Sequence, residues 1–319
     1  MSTALPFGAP PIGEIRGAIL AGGNRRHFQH GPIDLVIEAS GAGHQVGRAY
    51  KQAWARFETI LGELVGELPA LRTPLKAGGA TLDGIVARRM EAACAPHKGV
   101  FVTPMAAVAG AVADEVLSAL LAGRTLEKAY VNNGGDIALY LTPRASYETG
   151  MVSLAETPTA AGTISIEHAS PVRGIATSGW RGRSLSLGIA DAVTVLARCA
   201  AEADVAATLI ANAVNTDHPR IERVPAREID PDSDLGDRVV TVEVGVLPDA
   251  AVVEALDAGA GVAERMVGDG RIAAAHLVLQ GEARAIGRAP LVALADRAEL
   301  NINAGPRTGL DKRRRAWST

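Results

Sequence analysis

The sequence predicts a single α+β domain, with helices packed on a mixed or antiparallel sheet. Three observations carry this. Short β-branched runs and longer stretches with helical apolar spacing follow one another in mixed order, which suggests one layer of helix over sheet. No internal repeat and no Gly/Ser or Pro linker divides the 319 residues, a length that suits one large domain or two ordinary ones. The apolar fraction is 48% but aromatics are only 3%, so the core must be Ala, Val, Leu and Ile packed around 35 Gly. The reading divides the chain into an N-terminal tail at 1–14, the domain at 15–302 and a basic tail at 303–319. The last ends in Lys312-Arg313-Arg314-Arg315 and has no apolar periodicity.

The elements follow in order. Residues 33–39 are a short β-branched run after a polar lead and read as a strand. Residues 46–65 place Ala49, Ala53, Phe57, Ile60, Leu61 and Leu64 at helical spacing. Thr103-Pro104 opens a helix, since Thr caps well and Pro is tolerated in the first turn; Gly123 ends it. Residues 129–131 and 137–141 are strands around a Gly-Gly turn. Residues 163–167 and 193–197 are extended, and a small-residue helix covers 201–214. A strand at 239–247, a helix at 250–266 and a strand at 272–279 complete the pattern.

Composition excludes some functions. The formal net charge of −3 gives no field that gathers nucleic acid or anionic membrane, and eleven Trp, Tyr and Phe offer few rings for stacking bases. The most apolar stretch, 100–121, is interrupted by Pro104, Asp114 and Glu115, so it does not read as a membrane span. The first residues lack a basic n-region and a long apolar run, so the expected compartment is the cytoplasm. Cys94 and Cys199 are too few for a disulfide framework and read as buried thiols.

The helix around 203–212 carries Asp204, Thr208 and Asn212 four residues apart, in one line on one face, while its other side chains are apolar. This stripe is either the wet side of an amphipathic helix or a ligand site. Carboxylate, hydroxyl and amide oxygens are hard donors suited to Mg²⁺ with several waters retained. The loop Asn132-Asn133-Gly134-Gly135-Asp136 is either a common hairpin turn or a place where a ligand approaches the backbone and its amides. Asp136 could then hold a metal or a ribose hydroxyl. In Gly174-Ile175-Ala176-Thr177-Ser178-Gly179 a hydroxyl pair precedes a glycine. It reads as an ST-turn, as donors to a phosphate or carbonyl oxygen, or as a Ser178 nucleophile if a base is near. His27 and His30, three apart on a strand, cannot share a face and so do not read as a metal pair. His218 in Thr216-Asp217-His218-Pro219 and the turn Ser233-Asp234-Leu235-Gly236 are further candidates.

Taken in order, these segments resemble the ApbE superfamily, whose characterised members are Mg²⁺-dependent FAD:protein FMN transferases. The resemblance rests on Asn133-Gly134-Gly135-Asp136, Thr177-Ser178-Gly179, Ala192-Val193-Thr194-Val195 and Ala203-Asp204-Val205-Ala206-Ala207-Thr208. Three more segments are similar to a shorter, uncharacterised branch: His30-Gly31-Pro32-Ile33-Asp34-Leu35, the run from Thr103 to Gly110, and Ser233-Asp234-Leu235-Gly236. The transferases carry a His-x-Ile-Asp-Pro-x-Thr-Gly segment where this chain has the run from Arg183 to Asp191, without the His and the Asp-Pro turn.

The resemblance implies an ApbE-like fold and an enzyme acting on a phosphate- or carbonyl-containing small molecule. Asp204 and Thr208 inherit the Mg²⁺ site. Asn133, Gly134, Gly135, Thr177 and Gly179 seat the cofactor or substrate, and Asp136 and Ser178 are the catalytic candidates. Flavin or nucleotide phosphoryl transfer, with FAD or FMN, is one version. Hydrolysis of an amide-like metabolite is another, and a non-catalytic flavin- or nucleotide-binding protein is the third. Homo-oligomerisation is left open.

Overall fold

The computed structural model describes residues 13–75, 82–153, 159–287 and 291–292. Most of both expected tails, and residues 293–302 of the expected domain, lie outside the described residues.

In chain order the elements are β1 (Arg16–Ile19), β2 (Arg25–His30), β3 (Ile33–Ser40), the long helix α1 (Gly43–Gly66), the single turn α2 (Leu68–Leu71) and α3 (Ile85–Cys94). A 3₁₀ turn (Pro104–Ala107) leads into α4 (Val108–Leu121). Then come β4 (Lys128–Asn133), β5 (Asp136–Leu141), β6 (Ser146–Ser153), β7 (Thr159–Glu167), β8 (Gly174–Ser178), β9 (Ala192–Ala197) and α5 (Ala200–Ala213). The described residues continue with β10 (Ile221–Pro225), α6 (Ala226–Ile229), β11 (Val239–Val244), α7 (Asp249–Gly268), β12 (Ala274–Leu279), β13 (Glu282–Gly287) and β14 (Leu291–Val292).

Nine strands form the main sheet in the order β1-β2-β3-β4-β5-β8-β9-β12-β13. Every neighbouring pair is antiparallel, so of the mixed and antiparallel alternatives the structure takes the second. A small sheet, β14-β7-β6, lies against part of one face; β10 and β11 pair apart.

Alternation along each strand decides what meets what. Leu35, Ile37 and Val131 face α1 and α4, packing with Phe57, Ile60 and Leu120. Ala176, Val193 and Val195 face α5 and α7. The alternate residues Leu139, Leu141, Ile175 and Leu196 pack on the other side with Ile164 and Ile166 of β7. Covered on both faces, β9 is buried at all six positions, which explains its unbroken apolar run.

The apolar stretch around α4 is a central helix. Pro104–Leu121 is long and apolar enough to cross a membrane by composition, yet its acids have partners within the fold. Asp114 accepts the amides of Ala200 and Ala201 at 3.0 and 2.9 Å, capping α5. Glu115 pairs with Arg56 at 2.8 Å and Arg89 at 3.1 Å. Helices α4 and α5 approach closely at Gly110, where an added Cβ would run into the Ala200 carbonyl.

Several elements escape the sequence patterns, and three show why. Strand β2 reads RRHFQH; only Phe28 and His30 are buried, so the run lacks the β-branched density that marks β3. Helix α3 is short and buries Val86, Ala87, Met90, Ala93 and Cys94 amid three charges. Strand β13 is an edge, with four exposed positions and no fully buried one.

Candidate functional site

The site forms where β4 and β5 turn, facing the helix layer between the start of α4 and α5. Gly134 and Gly135 make the turn with φ of 65° and 122°, values that favour glycine. The side chain of Asn132 accepts the Gly135 amide at 2.8 Å and holds the turn in shape. Asn133 is buried: its Nδ2 donates to the Ala109 carbonyl at 3.1 Å, and its Oδ1 accepts the Asp34 amide at 3.4 Å. This side chain ties the turn to β3 and α4, so the fold already claims the amide that the motif offered to a cofactor.

Asp136 follows the turn on the helix-facing side, with its Oδ1 accepting the Thr177 amide at 3.3 Å. Asp204, in the first turns of α5, accepts the Gly110 amide on Oδ2 at 3.0 Å. The side chains are half-buried, and protein atoms crowd the carboxylates. Burial pushes the Asp204 carboxyl up to about 7, against the pull of the Gly110 and Ala109 amides. Asp136 is raised well above the ordinary range, first by burial and then by the charge of Asp204. The Thr177 amide and Arg183 oppose that rise. Among the described residues no Lys or Arg forms an ion pair with either acid.

Thr208 stands one turn after Asp204, half-buried, and its hydroxyl bonds to none of the described residues. Asn212 accepts the Leu187 amide at 3.0 Å and the Ser186 hydroxyl at 3.4 Å, pinning the loop before β9. The stripe is therefore neither simply wet nor wholly a ligand face. Asp204 bonds the start of α4 and stands by Asp136, the Thr208 hydroxyl has no partner among the described residues, and Asn212 holds a loop.

The Thr177-Ser178-Gly179 segment divides between the faces. Ile175 packs between the sheets and Ala176 against the helices. Alternation therefore turns Thr177 away from the helices and Ser178 toward them. The Thr177 hydroxyl meets Thr194 on the far side at 2.9 Å, and only its amide serves the site, through Asp136. Ser178 has no hydrogen bond to a base among the described residues. Gly179 is buried where a side chain would strike the Asp191 carbonyl.

The remaining candidates sort by geometry. Asp191 is buried and fully used: it accepts from Trp180 Nε1 at 3.3 Å, Arg181 Nε at 2.9 Å and the Gln280 amide at 2.6 Å. His27 and His30 lie on opposite sides of the sheet. His27 pairs with Asp34 at 2.7 Å, and His30 is buried beside Phe57. His218 accepts the Arg220 amide within its own turn. Cys94 is buried, and Cys199 is half-buried with its thiol pushed up to about 12 by burial. The turn at Ser233–Gly236 reaches the 3₁₀ start of α4, where the Thr103 hydroxyl bonds Asp234.

Sequence reasoning passed over Arg183. It is exposed, and its guanidinium lies on the Gly134 backbone, with Cζ 3.2 Å from where a Cβ would stand. Arginine in a polar loop carries no signal of its own; only the turn of the β8–β9 loop brings it there.

No group of three His, Cys, Asp and Glu side chains suited to a metal occurs among the described residues. The donors present are two carboxylates and a hydroxyl. That set fits a hard cation that keeps several waters, and two crowded carboxylates without a paired cation favour one.

A family model described as AbpE bacteria matches residues 17–285. A UPF0280 protein of Methanopyrus kandleri is 39% identical over 162 residues, covering 50% of this chain and 62% of that protein, somewhat less than two thirds of its length. A UPF0280 protein of Methanothrix thermoacetophila is 37% identical over 200 residues, covering 60% of this chain and 79% of its own. Among solved structures, the apo form of the Pseudomonas stutzeri flavinyl transferase ApbE superposes with a TM-score of 0.44 at 13% identity. The superposition covers 87% of this chain and 95% of the other.

Proposed function

The chain belongs to the AbpE bacteria family, and from that premise we propose that it is an enzyme using Mg²⁺ to act on a phosphate- or carbonyl-containing small molecule. The observation that supports this most is the Asp136–Asp204 pair: two crowded carboxylates, both raised, without an ion-paired cation among the described residues.

Asp204 and Thr208 would hold the ion, which when bound would polarise a substrate oxygen. The Gly110 and Ala109 amides hold the Asp204 carboxylate in place. Asp136 is oriented by the Thr177 amide and receives the proton of an attacking hydroxyl, a role that a raised carboxyl suits. Ser178 donates a hydrogen bond to the substrate rather than attacking it, since no base is bonded to it among the described residues. The Gly134-Gly135 turn gives a phosphate close access to the backbone. Of the possible substrates we favour a flavin or nucleotide, because the motif set is similar to that of the flavin transferases. FAD is then the first cofactor to test.

The experiment titrates Mg²⁺ into wild-type protein and Asp204→Asn by calorimetry. It then incubates both with FAD, Mg²⁺ and a Thr-containing acceptor peptide, and reads AMP. Mg²⁺ binding by wild type and its loss in the variant are expected, with AMP released by wild type alone. Equal Mg²⁺ binding by both proteins overturns the metal site. Tight FAD binding that survives chelation without turnover makes the protein a binding module.

A further inference from the structure

We propose that Arg183 takes the anionic group of the substrate, meeting a phosphate or pyrophosphate at the edge of the Gly134-Gly135 turn, beside Asp136. The inference rests on the reading of the site given above and names the residue that selects its substrate.

The first support is position. The guanidinium lies on Gly134, so the missing side chain there is what makes room for it. Gly134 and Gly135 both hold positive φ, so the turn that carries the arginine favours glycine at both places. Its charge reaches Asp136 without forming an ion pair with it.

The second support is a contrast within one loop. Arg181, two residues earlier, is engaged by the protein: its Nε bonds Asp191 at 2.9 Å and its guanidinium stacks on Trp180 at 4.5 Å. Arg183 has no hydrogen bond or salt bridge to any described residue. Its planar fork of donors suits the bidentate recognition of a phosphate.

The third support is electrostatic. Asp136 and Asp204 alone repel an anion. A cation held by Asp204 would satisfy only part of a phosphate's charge, and the Arg183 guanidinium, whose charge reaches Asp136, meets the rest. Removing Arg183 should therefore weaken anion binding while leaving the cation site intact.

Pyrophosphate serves as the probe. It is titrated by calorimetry into wild type, Arg183→Ala, Arg183→Lys and the surface control Arg124→Ala, once with Mg²⁺ and once with EDTA. Wild type is expected to bind in both buffers, more tightly with Mg²⁺. Arg183→Ala should weaken binding by about 10- to 100-fold in both, the worth of hydrogen bonds to a charged group. Arg183→Lys should fall between, keeping charge without the fork, and Arg124→Ala should match wild type. Mg²⁺ alone should bind Arg183→Ala as well as it binds wild type. Equal pyrophosphate affinity in wild type and Arg183→Ala, or no pyrophosphate binding by wild type in either buffer, overturns the inference. Failure of Mg²⁺ to bind wild type overturns the metal reading instead, and the EDTA titrations still judge Arg183.

Discussion

Asp204 on α5 holds the amide of Gly110 on α4, with 3.0 Å between Oδ2 and the nitrogen. The contact lies where the two helices come closest, since a side chain at Gly110 would meet the Ala200 carbonyl. One carboxylate therefore joins the helices and also stands beside Asp136.

These two jobs separate by substitution. Asp204→Asn keeps an oxygen for the Gly110 amide but removes the charge. It should fold with little loss of stability and lose Mg²⁺ affinity. Asp204→Ala leaves the amide without its partner and should cost about 1–3 kcal/mol in denaturant unfolding. Equal destabilisation by both would show that the Gly110 contact contributes little.

The pH dependence has a defined sign. The folded pKa of Asp204, about 7, lies above the ordinary value of 3.8. The folded chain thus keeps a proton that the unfolded chain has released, and stability falls as pH rises across that interval. The contribution is fully present below the ordinary value and is lost as pH passes about 7. In EDTA, the Tm of wild type should fall between about pH 5 and about pH 8 relative to that of Asp204→Asn. Saturating Mg²⁺ should reduce the fall. A difference that grows in the opposite direction would contradict the raised carboxyl.

Gly110→Ala weighs two effects. Alanine inside a helix is worth about 0.5–1 kcal/mol over glycine. Forcing a Cβ against the Ala200 carbonyl costs about 1–3 kcal/mol, because backbone on both sides must move. The second should win, and Tm should drop. A stabilised variant would mean that the helices can separate freely at this crossing.

Asn212 tests the division of labour along the α5 stripe. Asn212→Ala removes the acceptor of the Leu187 amide and should cost about 1–2 kcal/mol. Its Mg²⁺ affinity should match wild type. A large loss of Mg²⁺ binding without loss of stability would move Asn212 into the ligand site.

Most of the helices and the buried strands were legible in the sequence. Those at 46–65 and 250–266 announced themselves by apolar spacing, and α1 and α7 occupy nearly those bounds. Strands β2 and β13 were not legible because each leaves one face to solvent or an edge, so hydrophobicity does not mark them. In the site, Asp136 and Asp204 were visible as polar intrusions in apolar surroundings, but their proximity was not. Sequence order also could not say that Asn133 and Asn212 are consumed by backbone groups from distant segments.

By itself the sequence determined the element types, the small-residue core and the family motifs, because each depends on local spacing and composition. The tertiary structure alone decided which face each motif presents. Strand alternation sent the Thr177 hydroxyl to one side and Ser178 to the other, and the packing of α5 on α4 brought Asp204 to Asp136. The fold of the loop before β9 placed Arg183 over Gly134. These are contacts between residues far apart in the chain, and only the closed fold fixes them.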